Sequence, residues 1–279
     1  MIDQRATARK LMVDAAELGE PSAACELVES GIRGNAFANP EFSEHLQRLK
    51  RMADSTGPSG LRAKMTLGSY FISQQKYKEA MGMLKVATDG EKDSPAAAQA
   101  FFNMGKIFLQ WKDRDAAHSA FIKSAQGAHR EALYYIAAAT KDGSQYQKEA
   151  YQIAALSGIH EASHNLGDIE LEIVRSRPDQ PKTLLDYGMA REWFQVAATN
   201  DYIPSMLNMA LICKSVDEME TGMQWLENAE KWQEKKPSPE MRDLAKQIRK
   251  NWGNRNIDLT AADSGYCRKI DPFKDVRGI

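Results

Sequence analysis

The chain has 279 residues with 37 basic and 38 acidic side chains, a net charge of −1, so it lacks the field that would gather a polyanion or an anionic membrane surface. It exceeds the roughly 100 to 200 residues of one compact domain, which leaves two globular domains or one extended array. No stretch approaches the roughly 18 apolar residues of a membrane span, and Cys25, Cys213 and Cys267 share no paired spacing, which disfavours a disulfide framework and a Cys-based zinc site.

Strong helix formers dominate from Ala6 to Trp252, and β-branched runs of alternating polarity are scarce, so the elements are predicted to be helices. The first runs from Ala6 to Gly19 and carries a small residue, two large neighbours, a small pair and a turn glycine: Ala8, Leu11, Met12, Ala15, Ala16, Gly19. A second pattern follows at Ala23, Leu27 and Val28, where a small residue stands four positions before a large-small pair. From there the two alternate. The second pattern recurs at Ala63, Leu67, Gly68; Ala100, Met104, Gly105; Ala132, Ile136, Ala137; Ala162, Leu166, Gly167; and Ser205, Met209, Ala210. The first recurs around Leu49, Leu84, Phe121, Tyr151, Phe194 and Leu226, so that with Met12 there are seven copies, at gaps of 37, 35, 37, 30, 43 and 32 residues.

A period of ~36 residues is that of a helix-turn-helix unit. Positions i, i+4 and i+3, i+7 form one stripe on a helix, and small residues on it let neighbouring axes approach while large ones fill the grooves. The aromatic and aliphatic pairs Phe101-Phe102, Trp193-Phe194 and Trp225-Leu226 are expected in the core, at roughly 1.5 to 3 kcal/mol per fully buried side chain.

The small-x-x-x-Leu-Gly helix followed by Ala190-x-x-Trp193-Phe194-x-x-Ala197-Ala198 resembles the tetratricopeptide superfamily. The Ala-Ala pairs and uneven unit lengths are closer to its Sel-one-like branch than to the strict 34-residue form. The resemblance covers about residues 6 to 232, and the unit at Ala132 departs from it by lacking the Leu-Gly pair. It implies an all-α, right-handed superhelical solenoid of helix-turn-helix repeats whose concave face holds another protein or peptide segment. In this organisation residues 1–235 form the array, 236–253 a capping helix and 254–279 an irregular tail.

Two interruptions are predicted loops: Gly34 to Phe42, between a first and a second helix, and VRSRPDQPK, where Pro178 and Pro181 stop a helix and leave an exposed basic segment. After QEKKPSP, Ser238 and Pro239 supply an N-cap and a first helical residue. Met241, Leu244, Ile248 and Trp252 then repeat at helical spacing opposite Arg242, Lys246, Arg249 and Lys250. The basic face is a candidate contact for an acidic partner, and Tyr266 and Phe273 are candidate anchors for the tail. The first helix matches the second member of a pair, so Met1 reads as an internal start. The expected location is cytoplasmic, with a mitochondrial one as the alternative if an upstream targeting segment is missing.

His160-Glu161-Ala162-Ser163-His164 matches H-E-x-x-H, two histidines at i and i+4 with a glutamate as general base, which would make a zinc metalloprotease. The repeat phase argues otherwise: Ala162 opens a first helix and His160 is expected in the turn before it, off any two-ligand face. His45 and His118 read as packing or surface residues. No phosphate-binding loop, G-x-G-x-x-G, G-x-S-x-G or Cys/His pairing is present, so an enzyme, a cofactor and a metal are not expected. RNA binding by helical repeats lacks the continuous basic stripe it needs. Asn103, Asn165 and Asn208 each precede the large-small pair and so share one phase. The resemblance implies that they contact a bound peptide backbone; the alternative is that they tie neighbouring helices. The expectation is a non-enzymatic protein-binding scaffold or adaptor in complex assembly or quality control.

Overall fold

The computed structural model describes residues 4–90, 94–140, 144–235 and 238–253; the tail 254–279, with Cys267, Tyr266 and Phe273, lies outside the described residues. Among those described there are fourteen α-helices, one 3-10 turn and no strand. In chain order they are α1 (Gln4–Glu17), α2 (Pro21–Arg33), α3 (Pro40–Ala53), α4 (Pro58–Ser73), α5 (Tyr77–Gly90), α6 (Pro95–Gln110), α7 (Arg114–Gln126), α8 (Glu131–Ala139), α9 (Gln145–Leu156), α10 (His160–Arg175), α11 (Met189–Thr199), α12 (Ile203–Ser215), α13 (Met219–Lys235) and α14 (Pro239–Lys250). The chain divides into two compact units, one up to Ala132 and one from Leu133, each made of helix pairs.

The helix ends follow from local chemistry. Proline occupies the first turn of α2, α3, α4, α6, α12 and α14, where its missing N–H has no intrahelical acceptor to lose. Side chains cap the orphan donors: Ser94 Oγ accepts from Ala97 N at 3.1 Å, Asp113 Oδ1 from Ala116 N at 3.1 Å and Ser144 Oγ from Gln147 N at 3.2 Å. Between helices the chain reverses through single left-handed residues. Asn35, Gln75, Lys112 and Asp217 serve within pairs, and Gly19, Gly57, Ala128, Gly158 and Asp201 between them. The left-handed residue after α7 is thus Ala128, φ 65°, and not the neighbouring Gly127. Gly127 is small for another reason: a Cβ there would lie 2.6 Å from that of Ala98.

The anchors are the best-buried large side chains. Leu49, Leu84, Phe121, Phe194 and Leu226 are 0% exposed and Tyr151 1%. Three are seated directly on the glycine of the large-small pair in the preceding helix. A Cβ would lie 2.7 Å from Leu84 at Gly68, 2.6 Å from Phe121 at Gly105 and 2.7 Å from Phe194 at Gly167. The first members of the large pairs behave differently: Phe101, Trp193 and Trp225 are half-buried and Leu11 is 64% exposed, because the stripe is narrower than two adjacent residues. The anchor Met12 is also only half-buried; α1 packs mainly on α2.

The loop after α2 ends sooner than expected, since Pro40 already opens α3 with Asn39 as its cap. Val174 and Arg175 complete α10, and the segment beyond holds a 3-10 turn, Leu184–Tyr187, closed by a Thr183–Asp186 capping box. Three backbone and hydroxyl donors from Lys182 and Thr183 reach Asp186, holding its carboxyl below the usual carboxylate range. The last helix, α14, turns Leu244, Ala245 and Ile248 onto α12 and α13, and Trp252, two residues past its end, joins the same cluster. Its Arg249 is engaged by Glu230 of α13 through Nε at 2.8 Å and Nη2 at 2.7 Å.

Candidate functional site

In the first unit the first helices of successive pairs touch each other, α2 with α4 and α4 with α6, while no comparable contact joins α3 with α5 or α5 with α7. The closely spaced side is the inner side of the curve. It carries a trough of about 710 Å³ lined by Glu29, Ile32 and Arg33 of α2, by Leu61, Arg62, Met65 and Ser69 of α4, and by Ser94, Ala96 and Gln99 around α6. Such a volume suits several residues of an extended segment.

A regular tie sets the spacing of these helices. The residue before the large-small pair bonds to a residue of the preceding first helix, three positions after its own counterpart. Thr66 Oγ1 donates to Glu29 Oε1 at 3.1 Å, and Asn103 Nδ2 donates to Ser69 Oγ at 3.1 Å. Gln99 extends the second tie, reaching Asn103 Oδ1 at 3.5 Å and lying 2.9 Å from His129 Nε2. Glu29, Ser69 and Gln99 line the trough, so the tying residues lie under its floor; Thr66 is 0% exposed and Asn103 8%.

The charges of the trough are unevenly matched. Glu29 is engaged by Thr66, and Arg33 pairs with Glu26 at 2.6 Å. Arg62 donates only to the neutral Ser22 Oγ, at 3.0 Å, and has no ion pair among the described residues. Ile32, Leu61 and Met65 supply half-buried apolar surface between these groups. Further along α6, Lys106 stands one turn after Asn103 with Nζ 5.8 Å from the Phe102 ring, and burial holds its ammonium below the usual range.

Of the three phase-matched asparagines, Asn103 is in the first unit and Asn165 and Asn208 are in the second, at 0% and 1% exposure. Asn165 Nδ2 donates to the hydroxyl of Tyr151 at 3.1 Å and so joins α10 to α9. Burial of this order favours helix tying over direct contact with a peptide. The trough residues Ile32, Arg62 and Met65 carry no signature in the sequence, because they come from separate helices and acquire a common function only through stacking.

The H-E-x-x-H segment takes a different form from the one expected. His160 is the first residue of α10 and not part of the preceding turn, because Ile159 occupies the N-cap position. The second histidine points inward: His164 is 1% exposed, its Nδ1 lies 2.9 Å from Ser205 Oγ, and its ring packs 5.5 Å from that of Phe194. The two imidazoles therefore share no open metal-binding face. Among the described residues no three His, Cys, Asp or Glu side chains converge as metal ligands. Cys25 and Cys213 are buried free thiols, and burial pushes the Cys213 thiol up to about 11, away from the thiolate that nucleophilic chemistry needs.

His45 is unusual in the first unit. It is 8% exposed, and neither ring nitrogen has a hydrogen-bond partner. Burial, then the nearby Arg48, lowers its affinity for a proton below that of a free imidazole, while Glu41 and Glu44 act in the opposite direction and Arg9 with Arg48. Because the folded state resists protonation, the first unit is expected to be fully stable above about pH 6.5 and to lose stability as the pH falls below it. Urea midpoints between pH 7.5 and 5 check this, and His45→Ala should flatten that part of the profile; an unchanged slope would mean that His45 does not contribute.

These helix pairs, with large anchors seated on small residues, make the fold an all-α repeat solenoid. It is similar to that of the Sel1 repeat protein from Oxalobacter formigenes, which is 16% identical, with a TM-score of 0.51 over 79% of this chain and 96% of that one. No family model matches the sequence. No curated protein matches it either. Among the described residues no helix is long and apolar enough to cross a membrane.

Proposed function

We propose that the protein is a non-enzymatic scaffold that holds an extended segment of a partner protein in the inner trough of its first unit, within a complex-assembly or quality-control role. The observation that carries this reading is the trough itself: apolar surface from three successive first helices beside an arginine with no counter-ion. A partner segment with an acidic side chain against Arg62 and apolar side chains against Ile32, Leu61 and Met65 satisfies both. Asn103 acts on binding from below, by fixing the spacing of α4 and α6 through Ser69. In the second unit, Asn165 and Asn208 would serve partner binding in the same indirect way, and α14 acts as the cap of the array.

Selection of binding peptides from a random display library, followed by titration against variants of the full chain, tests the proposal. Met65→Glu and Arg62→Glu should each weaken the selected peptides about tenfold or more, the scale of an interface hot spot. Val86→Glu, at a 46% exposed position on the second helix α5, should change affinity by less than about twofold. Asn103→Ala should fall between these limits. Binding that is lost on Val86→Glu and kept on Met65→Glu would refute the assignment.

A further inference from the structure

A second site lies on the other side of α2, and the repeat itself exposes it. Four residues before each anchor the array places Ala8, His45, Ala80, Ala117, Gln147, Ala190 and Gly222. Only two of these seven are polar. Gln147 is accounted for, since its Nε2 donates to the carbonyl of Ala137 at 2.8 Å, whereas both nitrogens of His45 are buried without a partner. One residue before the anchor stand Leu11, Arg48, Met83, Ala120, Ala150, Trp193 and Trp225, and here Arg48 alone is polar; its Nη1 is also buried without a partner. Two adjacent departures from an apolar slot, both leaving hydrogen-bonding groups unmet, fall on one helix, α3.

His45 lines a pocket of about 450 Å³ between α1, α2 and α3, whose apolar walls include Met12, Leu27 and Phe42. Room for Phe42 is made by Gly31, where any Cβ would strike the phenyl ring. One carboxylate, Glu26, lines the pocket and is neutralised by Arg33 at 2.6 Å; Arg9, also in the lining, is engaged by Glu41 at 2.9 Å. Glu44 is exposed on α3 and forms no ion pair among the described residues, so Arg48 keeps an uncompensated charge beside the imidazole.

We propose that this pocket binds a carboxylate carried on a small branched apolar body, either a free short-chain acid or the C-terminal residue of a peptide, with His45 as its hydrogen-bond donor and Arg48, one turn along α3 behind the imidazole and outside the lining, as the charge that favours the anion. A carboxylate supplies an acceptor for the single N–H of the neutral imidazole, and the nearby guanidinium of Arg48 favours a negative charge there. A half-turn about the Cβ–Cγ bond exchanges the ring nitrogens of His45 with its carbons, so the ring can present a donor to the pocket without moving the backbone. The apolar body fills the space between Met12, Leu27 and Phe42. This site is independent of the inner trough, and its test leaves the trough untouched.

The probes are isovalerate, N-acetyl-alanyl-leucine with a free C-terminus, and the same dipeptide as its C-terminal amide, each titrated into the full chain while the His45 ring resonances are followed by NMR. The expected result is a saturable shift with a carboxylate probe, none with the amide, and a loss of affinity of about tenfold or more in Arg48→Met and, with calorimetry as the readout because the ring is gone, in His45→Ala. The second variant restores an apolar residue of the kind the array already carries at Met83. A response to isovalerate identifies the free acid as sufficient, and a response to the dipeptide acid alone identifies a chain terminus. Absence of any shift with either carboxylate up to roughly 10 mM, or equal binding of the amide, would overturn the proposal.

Discussion

Replacing Phe194 with alanine is expected to lower the unfolding free energy of the second unit by about 3 to 5 kcal/mol, the range for removing a fully buried phenyl ring and leaving a cavity behind. The ring is 0% exposed, and a Cβ at Gly167 of α10 would lie only 2.7 Å from it, so no neighbouring side chain can swing in to fill the void. Phe194 also meets the His164 ring and belongs to a cluster with Leu207, Ile212 and Leu226, which spreads the loss over α10 to α13. Domains of this size are stable by about 5 to 15 kcal/mol in total, so the variant should sit near its unfolding threshold at moderate temperature. Trp193→Ala, at a half-buried position one residue away, should cost clearly less. Urea unfolding followed by circular dichroism measures both, and equal losses at the two positions would contradict the assignment of Phe194 as the anchor.

The second large effect is expected at Trp252. Its indole lies over Gly222 of α13, where a Cβ would meet ring carbons at 2.9 and 3.0 Å, and Lys214 Nζ lies 5.7 Å from the ring while donating to the carbonyl of Asn251 at 2.8 Å. Trp252→Ala removes the largest side chain that joins α14 to the helices beneath it, at a cost of about 3 kcal/mol or more. A helix of 12 residues is marginal by itself, so the loss should appear as local melting before global unfolding. Amide hydrogen exchange should accelerate across Pro239–Lys250 and change little in α10 or α11. Unaltered protection of α14 would show that Leu244 and Ile248 hold it without the indole.

The positions that the sequence revealed are those where volume is decisive. An anchor such as Phe121 needs a glycine opposite it, and that pairing leaves Gly105 and Phe121 at a fixed separation that recurs as Gly68 with Leu84. Directions around a helix were harder to read. Trp193 and Phe194 are adjacent, so 100° of rotation separates them, and only one can face the core squarely. The asparagines had the right phase, but whether that phase lies on a surface or beneath it depends on how near the preceding first helix comes. That distance is set by Thr66 with Glu29 and by Asn103 with Ser69, residues more than 30 positions apart. The same reasoning explains why the trough has no linear signature.

Seating of large anchors on glycines is the physical basis of the stack and hence of the face offered to a partner. A double-mutant cycle with Gly105→Ala and Phe121→Leu measures it directly, because helix propensity alone predicts that alanine at position 105 stabilises by about 1 kcal/mol. With Phe121 present, a Cβ 2.6 Å from the ring should reverse that sign and destabilise by about 1 to 2 kcal/mol, and shortening the ring to leucine should recover most of the loss. Stabilisation by Gly105→Ala regardless of the residue at 121, with no coupling between the two sites, would contradict the account.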